Sequence, residues 1–138
     1  MTQADDDELR LVVQRIARRI RYNRVEGDLG DTQLSALFHL ELQGPSTPTE
    51  LAALERITPP SMNRVLNSLE ERGYITRTRS EDDARKVVID LTPVAAELLA
   101  ETRRLRTAWF SQHLTTLEPE ERAALDAALP ALRRLADG

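Results

Sequence analysis

Apolar residues along this chain fall into six stretches with helical spacing and two with strand character, and their order says more than any one of them. Residues 5–26 carry Leu9, Val12, Val13, Ile16 and Ile20 behind an acidic turn, Asp5–Glu8, which suits the positive end of a helix dipole. Gly27 and Gly30 are expected to break this helix. Gly30 or Asp31 can cap a second, in which Leu34, Leu37, Phe38 and Leu42 recur on one face. Gly44-Pro45-Ser46-Thr47-Pro48 reads as a loop. Thr47 or Pro48 opens a short third helix that turns Leu51, Ala52 and Leu54 inward, with Arg56 and Ile57 in the following turn. Thr58 is an N-cap candidate with Pro59 at the first helical position, where a missing N–H costs nothing. The fourth helix then places Met62, Val65, Leu66 and Leu69 at i, i+3, i+4, i+7, and Gly73 stands where a left-handed terminator is expected, followed by Tyr74 for its hydrophobic contact.

Two strand-like runs follow, Tyr74–Thr78 and Lys86–Leu91, joined by a charged tip. Thr92-Pro93 repeats the cap-and-proline device and starts a fifth helix to about Leu114, with Val94, Leu98, Leu105 and Trp109 inward. Glu118-Pro119 begins a sixth with Leu125, Leu129, Leu132 and Leu135 on one face, and Pro130 inside it is expected to kink or loosen it. The fold class is therefore mainly α with a small β-hairpin wing (α+β): a winged helix-turn-helix over residues 31–92, flanked by terminal helices at 5–26 and 93–136, all in one domain of 138 residues. A helix of this size fits the DNA major groove, and a charged hairpin beside it can reach the neighbouring minor groove.

Charge sharpens this picture. The chain is −4 overall, which argues against indiscriminate coating of nucleic acid. Residues 56–86, however, hold seven basic residues (Arg56, Arg64, Arg72, Arg77, Arg79, Arg85, Lys86) against five acidic ones (Glu70, Glu71, Glu81, Asp82, Asp83), a surplus of +2 that leaves −6 for the remainder. Cysteine is absent, and the two histidines, His39 and His113, stand apart, so neither disulfides nor a zinc site with ligand spacing is expected. No Gly-rich phosphate loop or nucleophile motif is present, and the adjacent carboxylates Glu70-Glu71 and Asp82-Asp83 read as solvated charge; the chain is not expected to be an enzyme or to carry a cofactor. The acidic N-terminus lacks the apolar core of a signal peptide, and no apolar run approaches a membrane span, so a cytoplasmic location without membrane association is expected.

The exposed residues of the fourth helix are short and polar or basic. Arg64 suits guanine, Asn63 and Asn67 suit adenine, and Ser61 suits a phosphate at the helix N-terminus. In the hairpin, Arg85 is the candidate for minor-groove insertion, with Asp83 two residues earlier as the buttress that holds its guanidinium. Arg77 and Arg79 on the first strand are placed for phosphates, and Lys86 adds charge at the tip. Arg15, Arg19, His39, Trp109 and His113 lie on the first, second and fifth helices, where a ligand pocket is conceivable, but read more simply as core or surface residues.

In order along the chain, Leu29-x-x-x-Gln33, Glu50-Leu51-Ala52, Leu69-Glu70-x-x-Gly73-Tyr74-Ile75-x-Arg77 and Asp83-x-Arg85, with Leu91-Thr92 after five further residues, resemble the MarR family of bacterial transcription regulators over nearly the whole sequence. The resemblance implies a homodimer built by the terminal helices, binding double-stranded DNA through two fourth helices. It also implies repression relieved by a small, frequently phenolic or anionic, effector near the junction of dimer and DNA lobes. Two positions depart from the pattern: Ala84 stands where a second wing arginine is usual, and Ala95 where a glycine is usual. The alternatives are a winged helix that binds protein rather than DNA, and a DNA-binding regulator with no effector.

Overall fold

The computed structural model describes residues 2–25, 27 and 29–138. It contains α1 (Gln3–Tyr22), α2 (Asp31–Gln43), α3 (Pro48–Glu55), α4 (Pro59–Glu71), β1 (Ile75–Arg79), β2 (Val87–Leu91), α5 (Pro93–Leu114) and α6 (Pro119–Asp137). The order is the expected one: a mostly helical chain with one two-stranded antiparallel hairpin. It divides into two compact units, Arg24–Arg104 and a second made of the chain up to Asn23 with Leu105–Gly138.

Local chemistry fixes the element ends in the first of these units. Gln33 reaches back to the Gly30 amide at 2.9 Å, and the Thr47 hydroxyl accepts from the Glu50 amide at 3.2 Å. Each satisfies a backbone donor that the helix start leaves without a partner. At the end of α4, Gly73 adopts φ +78°, its amide donates to the Glu70 carbonyl at 3.0 Å and the Tyr74 amide to the Leu69 carbonyl at 2.9 Å. Those two bonds are the Schellman termination, and they turn the chain into β1. The hairpin pairs Ile75 with Leu91 and Arg79 with Val87. Each strand is one residue displaced from the expected run at its start. Ser46 adds a short bridge to Ile89 on the outer edge of β2.

Leu37, Leu51, Met62, Leu66, Leu69, Ile89 and Leu99 are fully buried in this unit and form its core with Leu34, Leu40, Ile75 and Ala95. Burial of a side chain of this size stabilises by roughly 1.5–3 kcal/mol, so α4 is held by the stripe Met62-Leu66-Leu69 alone to a degree its 13 residues could not achieve in isolation. Several expected inward positions differ. Leu42 is 79% exposed and Leu54 44%, because α2 turns Leu40 and Ala36 inward and α3 buries only Leu51 and Ala52. On α5 the buried face is Ala95, Leu99 and Thr102, which leaves Val94 and Leu105 exposed.

In the other unit, α1 starts earlier than expected: the Thr2 hydroxyl accepts from the Asp5 amide and the Asp5 carboxylate accepts from the Thr2 amide at 2.8 Å. It also ends earlier, at Tyr22, where the Asn23 side-chain amide donates to the Arg19 carbonyl at 2.9 Å. The predicted helix therefore stops before the glycines; Glu26 lies outside the described residues. Helix α6 continues through Pro130 as one element. Neither α1 nor α6 buries a single residue. Arg106 donates to the carbonyls of Asn23 and Arg21 at 3.1 and 3.3 Å, and Trp109 has the Arg19 guanidinium 5.1 Å from its ring centre and the tilted His113 ring 4.1 Å away, centre to centre. His39, in the first unit, has its Nε2 3.1 Å from Glu55 Oε1. These partners account for four of the five residues considered for a ligand pocket: Arg19, His39, Trp109 and His113.

Candidate DNA interface

The buried stripe of α4 leaves Pro60, Asn63, Arg64 and Asn67 on the outer face, all exposed. Thr58 caps the helix: its hydroxyl accepts from the Ser61 amide at 3.3 Å and donates to Ser61 Oγ at 3.0 Å. Ser61 Oγ also accepts from Arg64 Nη2 at 3.2 Å. Thr58, Ser61 and Arg64 thus form a ladder along the first turn, at the end of the helix where backbone N–H groups favour an anion. The Ser61 hydroxyl hydrogen remains available as a donor, and the guanidinium keeps four further N–H groups.

Arg77 is half-buried, not a free reach toward phosphates. Side chains alternate along β1, so Arg77 shares a face with the buried Ile75 and leans back onto α4. Its Nη1 donates to Asn67 Oδ1 at 2.7 Å and to Glu70 Oε1 at 3.3 Å. The structure therefore joins two residues that the sequence presented as separate contacts, and adds Glu70, which the sequence gave only as solvated charge. Strand alternation from Ile75 was the signal for it.

At the wing tip, Arg79 Nη1 donates to the Ala84 carbonyl at 3.0 Å, the Lys86 amide to the Asp83 carbonyl at 3.0 Å and the Ser80 amide to the Lys86 carbonyl at 2.9 Å. Asp83 Oδ1 accepts from the Arg85 backbone amide at 3.0 Å. The buttress thus acts on the main chain instead of the guanidinium that the spacing suggested. A side chain bonded two residues ahead is an Asx-turn, and it leaves the exposed Arg85 and Lys86 heads pointing to solvent at the tip. The base of the wing is closed by Thr92, whose hydroxyl donates to the Gly73 carbonyl at 2.6 Å and whose amide donates to the Tyr74 carbonyl at 3.1 Å. Asn63 has no side-chain partner among the described residues.

The MarR family model matches residues 29–87, the segment that contains α4 and the wing tip. An uncharacterized HTH-type transcriptional regulator of Mycobacterium bovis is 37% identical over 94% of this chain and 91% of its own length. The chain belongs to the MarR family. This MarR-family chain is also similar to the multiple antibiotic resistance protein MarR of Salmonella typhimurium, 29% identical over 74% of this chain and 72% of that protein. A solved structure of a candidate transcriptional regulator from Pseudomonas aeruginosa superposes with a TM-score of 0.85 at 32% identity, over 99% of both chains. The MarR-family chain is thus a transcriptional regulator of MarR type, which implies DNA binding, and its relatives are regulators and not enzymes. No helix among its described residues is long and apolar enough to cross a membrane.

Proposed function

We propose that this protein is a sequence-specific regulator that binds a pseudo-palindromic operator in double-stranded DNA as a homodimer, represses from it, and releases it when a small phenolic or anionic ligand binds. The observation that carries the reading is α4 itself: one face fully buried by Met62, Leu66 and Leu69, the opposite face polar and basic, and the N-terminus capped by Thr58. Residues 31–92 are the DNA-binding lobe in this reading. Arg64, Asn63 and Asn67 face base edges, Ser61 and Arg79 lie toward phosphates, Arg77 braces the helix, and Arg85 with Lys86 enters the minor groove on a tip shaped by Asp83.

Residues 5–26 and 93–136 supply the dimer. Leu9, Val12, Val13 and Ile16 on α1 and Leu125, Leu129 and Leu132 on α6 are each 41–53% exposed, more contiguous apolar surface than a lone soluble unit retains. A closed two-fold pair covers it and sets recognition helices roughly 34–36 Å apart. For the ligand step, the cavity lined by Arg24, Arg72, Tyr74 and Thr102 is about 50 Å³, too small for an aromatic acid unless it opens, whereas a more open recess of about 200 Å³ on α1 is lined by Val12, Arg15, Ile16 and Arg19, whose guanidinium groups suit a carboxylate.

The test is fluorescence anisotropy with duplexes from the intergenic DNA beside the protein's own gene. Binding through several phosphates weakens steeply with salt, by a slope of about −0.9 per phosphate; a flat salt response points instead to a protein-binding module. Light scattering at micromolar concentration is expected to give twice the chain mass, and Ile16→Glu to halve it. Release by 2-hydroxybenzoate or a related phenolic acid supports the effector; undiminished binding across a panel of such acids assigns an effector-independent regulator.

A further inference from the structure

Asn67 stands one turn beyond Asn63 and Arg64 on the exposed face of α4, and its Oδ1 accepts from Arg77 Nη1 at 2.7 Å. The orientation of that amide is fixed by chemistry. A guanidinium has donors only, so the oxygen of Asn67 must face it and the nitrogen must face away. Arg77 in turn is held from two sides, by its place on β1 beside Ile75 and by Glu70 Oε1 at 3.3 Å.

We propose that Arg77 sets what Asn67 recognises: with one lone pair of its oxygen taken and a guanidinium charge beside the other, Asn67 turns its amide hydrogens outward and favours an acceptor edge, guanine O6/N7, over pairing with adenine. This rests on the DNA reading above. Bidentate recognition of adenine by asparagine needs both halves of the amide, the oxygen taking a hydrogen from N6 and the nitrogen giving one to N7. A bond from a charged donor is roughly twice as strong as a neutral one; it fixes the plane of the amide, and an adenine amino hydrogen coming to the second lone pair of the oxygen meets the positive charge of Arg77 beside it. Guanine offers two adjacent acceptors and places no donor against the amide nitrogen. Arg77 thereby determines a base without touching it. It also neutralises Glu70, whose charge on the same helix would otherwise repel phosphates.

The experiment is selection from a randomised duplex library by the full-length protein and its variants, read by sequencing. The wild type is expected to prefer guanine at one position of each half-site, and Asn67→Ala to lose preference there by on the order of 10-fold, the size of one hydrogen bond. Arg77→Met frees the oxygen and is expected to move that position to adenine, while lowering affinity for all duplexes; Arg77→Lys, which keeps a donor, retains guanine. Asn67→Asp keeps an oxygen toward Arg77 but has no hydrogen to give, so it loses the guanine preference with its thermal melt intact. A wild-type preference for adenine at the Asn67 position, an Asn67→Asp protein that still selects guanine, or an Arg77→Met protein that folds and keeps the wild-type preferences overturns the inference. A wild type that enriches no sequence overturns the DNA reading itself.

Discussion

Gly73→Ala separates the conformational cost of the helix-to-wing turn from every other contribution. Gly73 sits at φ +78°, and a Cβ built there meets no atom within 4 Å. The new methyl therefore clashes with nothing, displaces no packing and leaves both terminating hydrogen bonds in place. What remains is the penalty an L-residue incurs in the left-handed region, roughly 1–2 kcal/mol. For 138 residues, an unfolding entropy of about 2.1 cal/mol/K per residue makes each kcal/mol worth about 3.5 °C, so the melting temperature is expected to fall by roughly 3–7 °C. Gly73→Asn should lose less, since asparagine tolerates this conformation. The assay is thermal and urea unfolding at fixed protein concentration, because any association makes stability depend on it. A loss above about 4 kcal/mol, or no loss at all, would falsify the argument that backbone conformation alone is at stake; equal losses for Ala and Asn would do the same.

Three further outcomes follow from the site and its supports. Arg64→Ala is expected to weaken operator binding by roughly 1–3 kcal/mol per contact and relax selectivity at one position, with little change in the melt because Arg64 is exposed; unchanged affinity removes it from the interface. Arg85→Ala is expected to lower affinity and reduce the salt slope, most on A·T-rich flanks, whereas Arg79→Ala acts through the tip by releasing the Ala84 carbonyl; a footprint unaltered outside the major groove in Arg85→Ala refutes minor-groove insertion. The Thr2 backbone and side-chain hydrogen bonds hold the Asp5 carboxyl below its ordinary value. A depressed acid stabilises the folded helix end above its unfolded pKa and ceases to as pH falls through the folded one, so the protection of first-turn α1 amides, measured relative to their intrinsic exchange rates, should fall on acidification, and Asp5→Asn should abolish that fall.

Much of this arrangement was legible because helix ends are written in local chemistry. Thr47, Thr58, Thr92 and Gly73 cap or terminate where their types and neighbours said they would. Facing was harder. An eight-residue helix such as α3 makes barely two turns, so Leu54 fits the same periodicity as Leu51 while lying on the outer side. Asn23 ended α1 by donating its own side chain to a carbonyl, a competing signal weaker in sequence than the glycines after it. The Arg77 contact to Asn67 spans ten residues, and nothing local announces a bond between a helix and a strand; only the alternation along β1 hints at it.

Thr92 has a consequence for how the wing can change. By joining the Gly73 and Tyr74 carbonyls to the start of α5, where its hydroxyl also accepts the Ala95 amide at 3.3 Å, it closes the hairpin at its root. A loop whose ends are fixed costs little to lengthen, about 0.6 kcal/mol of closure entropy for each doubling. Residues inserted at the tip between Ser80 and Lys86 leave the root, and with it the direction in which α4 is offered, as they were. The reach of the wing and the aim of the helix are thus separately adjustable, which lets this fold acquire a new flanking sequence without relearning the old one.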